Sequence, residues 1–155
     1  MRNRVAVLLS LSLAACATGE APRELGRLDL REDTPGADVR RSPSGTIKVW
    51  LDVGRDRVRI DLHAQAALGA GRSALTGAES SEETCAICVQ LETGRHEDAT
   101  RSYVLVEDYL FARRGELVVA EVGEHLVARL ADVDFASNDG ARGAHLESLV
   151  IDREL

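Results

Sequence analysis

The stretch GTIKVWLDVGRDRVRIDLHA, residues 45–64, constrains the fold more than any other part of the chain. Ile47, Val49, Leu51 and Val53 fall on one face and Lys48, Trp50 and Asp52 on the other, a period of two that fits a half-buried strand. Gly54 to Arg57 breaks the run as a turn, and Val58, Ile60, Leu62 and Ala64 restore it. Two alternating runs joined by a short glycine-containing turn predict a β-hairpin.

The same texture continues downstream. Ile87, Val89 and Leu91, then Tyr103 and Leu105, then ELVVAEV after a turn at Gly115, each predict a strand. In HLVARLADVDF the apolar positions run Leu126, Ala128, Leu130 and then shift to Val133 and Phe135, the phase slip that a β-bulge produces. Asn138-Asp139-Gly140 supplies a turn, and HLESLVIDREL closes the chain as a last strand. Residues 65–84, rich in Ala, Gly, Ser and Glu, are predicted to form a loop. No long segment has the 3.6-residue period of a helix. Short strands separated by turn signals predict an all-β domain over residues 45–155, an antiparallel β-sandwich or, as the alternative, a small β-barrel.

The first residues have a different character. Arg2 and Arg4 precede an apolar run from Val5 to Leu13, followed by small residues and Cys16. This is the layout of a secretory signal, and the run is shorter than the roughly 20 residues a membrane-spanning helix needs. Leu13-Ala14-Ala15-Cys16 resembles the lipobox of bacterial lipoproteins. The resemblance implies removal of residues 1–15, lipidation of Cys16, and membrane lipid as a partner. Two or three acyl chains give stable anchoring where one is marginal. Ala17, rather than an acid, implies by the same resemblance sorting to the outer membrane, facing the periplasm or the cell surface.

Residues 16–44 contain Pro22, Pro35 and Pro43, all the prolines of the chain. With few apolar residues, the segment is predicted to be a flexible tether. Leu25, Leu28 and Leu30 are its one reservation, since they would suit a short edge strand. Residues 1–15 carry two arginines and no acid, so their removal moves the formal charge from −7 to about −9. With aromatics at 3% and Lys48 the sole lysine, the chain lacks the basic grooves and stacking platforms of nucleic-acid binders.

Tyr109-Leu-Phe-Ala-Arg-Arg-Gly-Glu-Leu-Val-Val119, followed by Ala128-Arg-Leu-Ala-Asp-Val133, is similar to a pattern in uncharacterised myxobacterial lipoproteins with β-sandwich domains. These share an aromatic-Phe-Ala element, a glycine turn, an alternating strand and a second strand with a bulge before Val. The likeness covers the C-terminal third and implies fold and anchoring only.

Cys85-Ala-Ile-Cys88 is the one motif with several chemical readings. A thioredoxin-like centre needs the motif at the head of a helix after a buried strand, and by resemblance a downstream cis-proline, yet no proline follows Pro43. Zinc would need about four ligands, of which His96 is a candidate third. His63, His125 and His145 lie on separate predicted elements. Once Cys16 is lipidated, Cys85 and Cys88 are the two thiols left in an exported chain, which favours a disulfide between them. Fully extended, their α-carbons would stand roughly 10 Å apart, beyond the bridging limit of about 7 Å, so the disulfide predicts a turn here.

Asp132, Asp134, Asn138 and Asp139 offer oxygens that could suit calcium, but their spacing fails the EF-hand pattern and fits a strand edge and turn. Gly71-Arg-Ser73 lacks the second glycine of a nucleophile elbow, and adjacent Glu107 and Asp108 would point to opposite faces of a strand. Trp50 faces away from Ile47 and is expected to pack. The sequence thus assigns no catalytic residue, no cofactor and no metal. It predicts a lipid-anchored envelope protein with a non-catalytic binding or structural module, for which another envelope protein is a candidate partner. The alternative is a periplasmic thiol-redox or metal-binding protein centred on Cys85 and Cys88.

Overall fold

A computed structural model of the chain describes residues 21–63, 70–77, 85–97 and 104–155. The signal segment 1–15, Cys16 and Tyr103 lie outside these residues. The strands are β1 (Arg23–Leu30), β2 (Ala37–Arg41), β3 (Ile47–Val53), β4 (Asp56–Leu62) and β5 (Gly71–Leu75). They continue with β6 (Ile87–Thr93), β7 (His96–Glu97), β8 (Val104–Leu105), β9 (Asp108–Val122), β10 (His125–Ala136) and β11 (Gly143–Glu154). The protein is all-β, as the alternation predicts.

Among the described residues, nine strands form one sheet in the order β1-β11-β10-β9-β6-β4-β3-β2, with β5 added beside the second half of β9, while β7 and β8 form a small separate ribbon. All pairings are antiparallel except β1 with β11, which is parallel. The two ends of this order, β1 and β2, are consecutive in the chain. A flat sheet would hold them roughly 34 Å apart at about 4.8 Å per strand, whereas the link from Leu30 to Ala37 reaches at most about 25 Å. The sheet therefore has to curl, and it forms a half-barrel. The expected pair of facing sheets is replaced by the limbs of one sheet, closer to the barrel alternative.

This arrangement corrects the tether predicted for residues 16–44. Residues 23–41 contribute both edge strands, and Leu30 and Val39 are buried in the same core as β3 and β4. Pro22 precedes β1, Pro35 lies in the link and Pro43 in the turn before β3, so the prolines punctuate strands rather than exclude them. The loop predicted for 65–84 likewise holds a strand, β5, whose Leu75 is buried.

The hairpin β3–β4 is present with the predicted buried faces, but its turn is shorter than Gly54 to Arg57: Asp56 and Arg57 join β4, which sets Val49 opposite Ile60 and Leu51 opposite Val58. Gly54 opens its two-residue turn with φ of +65°, a conformation glycine adopts without steric cost. Inward residues of all the long strands merge into one core that includes Ile47, Ile60, Leu91, Leu117, Leu130 and Leu149. Each such side chain contributes about 1.5–3 kcal/mol by leaving water.

The predicted bulge is present. Ala131 pairs with Glu116 and Asp134 with Arg114, so Asp132 and Val133 together oppose Gly115, and Asp132 has φ of +48°. The buried set shifts phase there in three adjacent strands, from Leu110 and Ala112 to Leu117 and Val119, from Leu130 to Val133, and from Ser148 to Leu149. The turn predicted at Gly115 is instead this bend, inside an unbroken 15-residue strand.

Candidate functional site

Two places gather polar chemistry against the core. The first is at the far end of β4, where His63 follows Leu62 and lies next to the start of β6. Cys85 and Cys88 are in disulfide contact with their α-carbons 5.5 Å apart, inside the bridging range. The turn this needs is made by residues 85–86, after which β6 begins at Ile87. Cys88 pairs across the ladder with Asp61, and both side chains face away from the Val89 and Leu91 side of the sheet, yet both are buried. Asp61 Oδ2 accepts a hydrogen bond from Arg59 Nη2 at 2.6 Å.

His63 completes this corner. Its Nε2 stands 3.5 Å from Cys88 Sγ and its Nδ1 3.5 Å from Thr46 Oγ1. The histidine beside the cysteines is thus His63 and not His96, which sits exposed on β7 with Nδ1 3.0 Å from the Gly94 carbonyl. The β4–β6 pairing that unites them is a long-range register, invisible in local spacing.

The second place is a cavity of about 320 Å³ at the mouth of the half-barrel. Leu91, Leu110 and Ala144 form an apolar floor, and Arg23, Arg55 and Arg142 with Asp56 and Glu107 form the wall. Asp56 is 2% exposed and continues the inward phase of Val58 and Ile60. Its Oδ1 accepts the Gly94 N–H at 3.1 Å, and its Oδ2 pairs with the Arg23 guanidinium arriving from β1. Arg55 pairs with Glu107 at 3.3 Å, and Arg142 with Asp108 at 3.3 Å. Glu107 and Asp108 therefore serve different arginines. Sequence reading missed this wall, although an acid at an inward phase, Asp56, was its available signal.

The remaining candidates have structural occupations. Trp50 is half-buried on the outer face with the Arg40 guanidinium 4.3 Å from its ring centre, a cation–π contact. Asp134 is held by Arg114 at 2.7 Å and by His145 Nδ1 at 2.8 Å. That hydrogen bond raises the His145 pKa above its ordinary value of 6.5, against the opposing effect of burial. The pair therefore stabilises the fold fully below about pH 6.5 and loses its contribution as pH rises through the elevated value. Asp139 Oδ1 accepts from Ser137 Oγ and the Ala141 N–H, and Asn138 Oδ1 from Arg113. These oxygens close a turn and do not converge with Asp132 on a common point. Ser73 lies on β5, paired with Leu117, and His125 begins β10 opposite Glu154. Among the described residues, the one group of three or more potential metal-ligating side chains is His63, Cys85 and Cys88.

No protein-family model, curated protein or solved structure matches this chain.

Proposed function

We propose that this protein is a lipid-anchored cell-envelope protein whose half-barrel is a non-catalytic binding module for a small amphiphilic anion. The cavity at the barrel mouth carries this reading. Its volume falls within the range of small-molecule sites, and an apolar floor with a few placed polar groups is their usual composition. Its wall sets three guanidiniums, each paired with one carboxylate: Arg23 with Asp56, Arg55 with Glu107 and Arg142 with Asp108. In the Arg55–Glu107 and Arg142–Asp108 pairs the arginine is the more exposed partner, so a ligand resting its apolar part on Leu91 and Leu110 would present an anionic head to these guanidiniums. Asp56 and Glu107, each engaged by an arginine, orient those guanidiniums rather than supply a free base.

Octanoate and octylammonium share a tail and differ in charge, so calorimetric titration of both into the protein tests the site. Octanoate is expected to bind and octylammonium not, and Arg55→Ala and Arg142→Ala, both at exposed positions, should weaken octanoate several-fold. Equal binding of the two probes, or of neither, overturns the ligand reading.

The anchor is supported by Leu13-Ala14-Ala15-Cys16 at the end of the apolar run. Membrane lipid is then a standing partner, a neighbouring envelope protein is a possible second, and the outer membrane is the proposed location. Mass spectrometry of the mature N-terminus should show an acylated Cys16 as the first residue, and Cys16→Ala should abolish the added mass. An unmodified Cys16 in the wild-type protein would sink the anchoring.

A further inference from the structure

We propose that reduction of the Cys85–Cys88 disulfide converts this corner into a zinc site held by Cys85 Sγ, Cys88 Sγ and His63 Nε2. A tetrahedral zinc with Zn–S of about 2.3 Å and Zn–N of about 2.0–2.1 Å sets a sulfur–nitrogen edge of about 3.6 Å and a sulfur–sulfur edge of about 3.8 Å. The Cys88 Sγ to His63 Nε2 distance is 3.5 Å, and the ligand atoms of all three residues lie within 4.8 Å of one another. Little rearrangement beyond separation of the two sulfurs is required.

The surroundings favour the same assignment. Zinc-bound histidines usually direct their second nitrogen to a polar partner, which fixes the tautomer. Here Thr46 Oγ1 stands 3.5 Å from Nδ1, long for a hydrogen bond but on the correct side to take its proton and leave the Nε2 lone pair toward the sulfurs. Cys85 and Cys88 are both buried, with the buried carboxylate of Asp61 opposite Cys88. Two thiolates in that position repel each other and the carboxylate, and a divalent cation neutralises them. Zinc accepts the sulfur and imidazole ligands present, while hard cations such as calcium prefer oxygen. Three protein ligands leave a fourth position for water or an added ligand.

The chemistry balances with a dithiol as reductant. The Sγ–Sγ bond breaks, two electrons and two protons pass from the dithiol, and the dithiol closes to its own disulfide. Zinc then displaces the two thiol protons. The disulfide and the metal are mutually exclusive, so the corner reports the redox state of its compartment independently of what occupies the barrel mouth.

The test uses the full chain carrying Cys16→Ala, in which Cys85 and Cys88 are the remaining thiols. The protein is reduced with a dithiol, desalted without air, and titrated with cobalt(II) and then zinc. One equivalent should bind to the reduced form, with the visible bands of tetrahedral thiolate-bound cobalt and displacement by zinc, and none to the oxidised form. His63→Ala should weaken zinc by at least tenfold, and His63→Cys, which returns a soft ligand, should restore it. Circular dichroism of the oxidised variants checks that they fold. Absence of binding to the reduced wild type, equal binding to the oxidised form, or unchanged affinity in a folded His63→Ala would overturn the site.

Discussion

Ile60→Asp should leave the protein largely unfolded at 25 °C. Ile60 is 1% exposed and sits between Val49 on β3 and Val89 on β6, both also buried. Truncation of the apolar side chain alone costs about 2–5 kcal/mol, and an unpaired carboxylate in that position adds several more or is forced to take up a proton. The sum rivals the whole stability of an ordinary domain, about 5–15 kcal/mol. The variant's folded-state carboxyl pKa is then raised above the unfolded value of about 3.9. Its penalty is smallest below that pH and grows as pH rises toward the folded value. Urea melts followed by far-ultraviolet circular dichroism at two pH values would measure both parts. A urea midpoint close to that of wild type would mean that Ile60 does not face the core.

That expectation is available from the sequence alone, because a strict alternation over 47–62 leaves one choice of buried face. The bulge in β10 was legible for the same reason, since Leu130 and Val133 are both apolar and three apart. The edge strands were harder to read. β1 and β2 bury few residues each, and their prolines, averaged over residues 16–44, imitate a linker although every one of them lies at a strand boundary. β5 was hidden similarly, because five residues with one buried leucine carry almost no periodic signal.

The candidate sites divide along another line. The proximity of Cys85 to Cys88 is local and follows from spacing and geometry. The approach of His63 depends on the β4–β6 register, and the arginine wall depends on the Arg23 side chain of β1 reaching Asp56 of β4. Both are consequences of sheet order, in which β1 and β2 end at opposite edges, and no residue-level pattern encodes that order. Sandwich and barrel stayed open at the same step, since alternation fixes which face is buried and not whether one sheet or two supplies the cover.

At the bend where β9 and β10 approach each other, Gly115→Ala is expected to cost about 2–6 kcal/mol. Gly115 has φ of +141°, and a Cβ built on it would lie 2.9 Å from both Cα and Cγ2 of Val133 and 3.1 Å from the Asp132 carbonyl oxygen. Backbone strain at such a φ costs about 1–3 kcal/mol in a residue with a side chain, and forcing apart a packed contact adds about 1–3 kcal/mol. Two other glycines separate the two causes. Gly26 has φ of +67° but open space around it, and Gly123 has open space without a positive φ. Gly26→Ala should therefore cost about 1–2 kcal/mol, from handedness alone, and Gly123→Ala should stay within about 0.5 kcal/mol. Adding Val133→Ala to Gly115→Ala removes the Cγ2 contact but leaves the Val133 Cα and the Asp132 oxygen in place, so the rescue must be partial. Equilibrium urea unfolding of the series checks the order. Full rescue by Val133→Ala, or equal costs at Gly115 and Gly26, would show that β9 and β10 can bend here without their backbones touching.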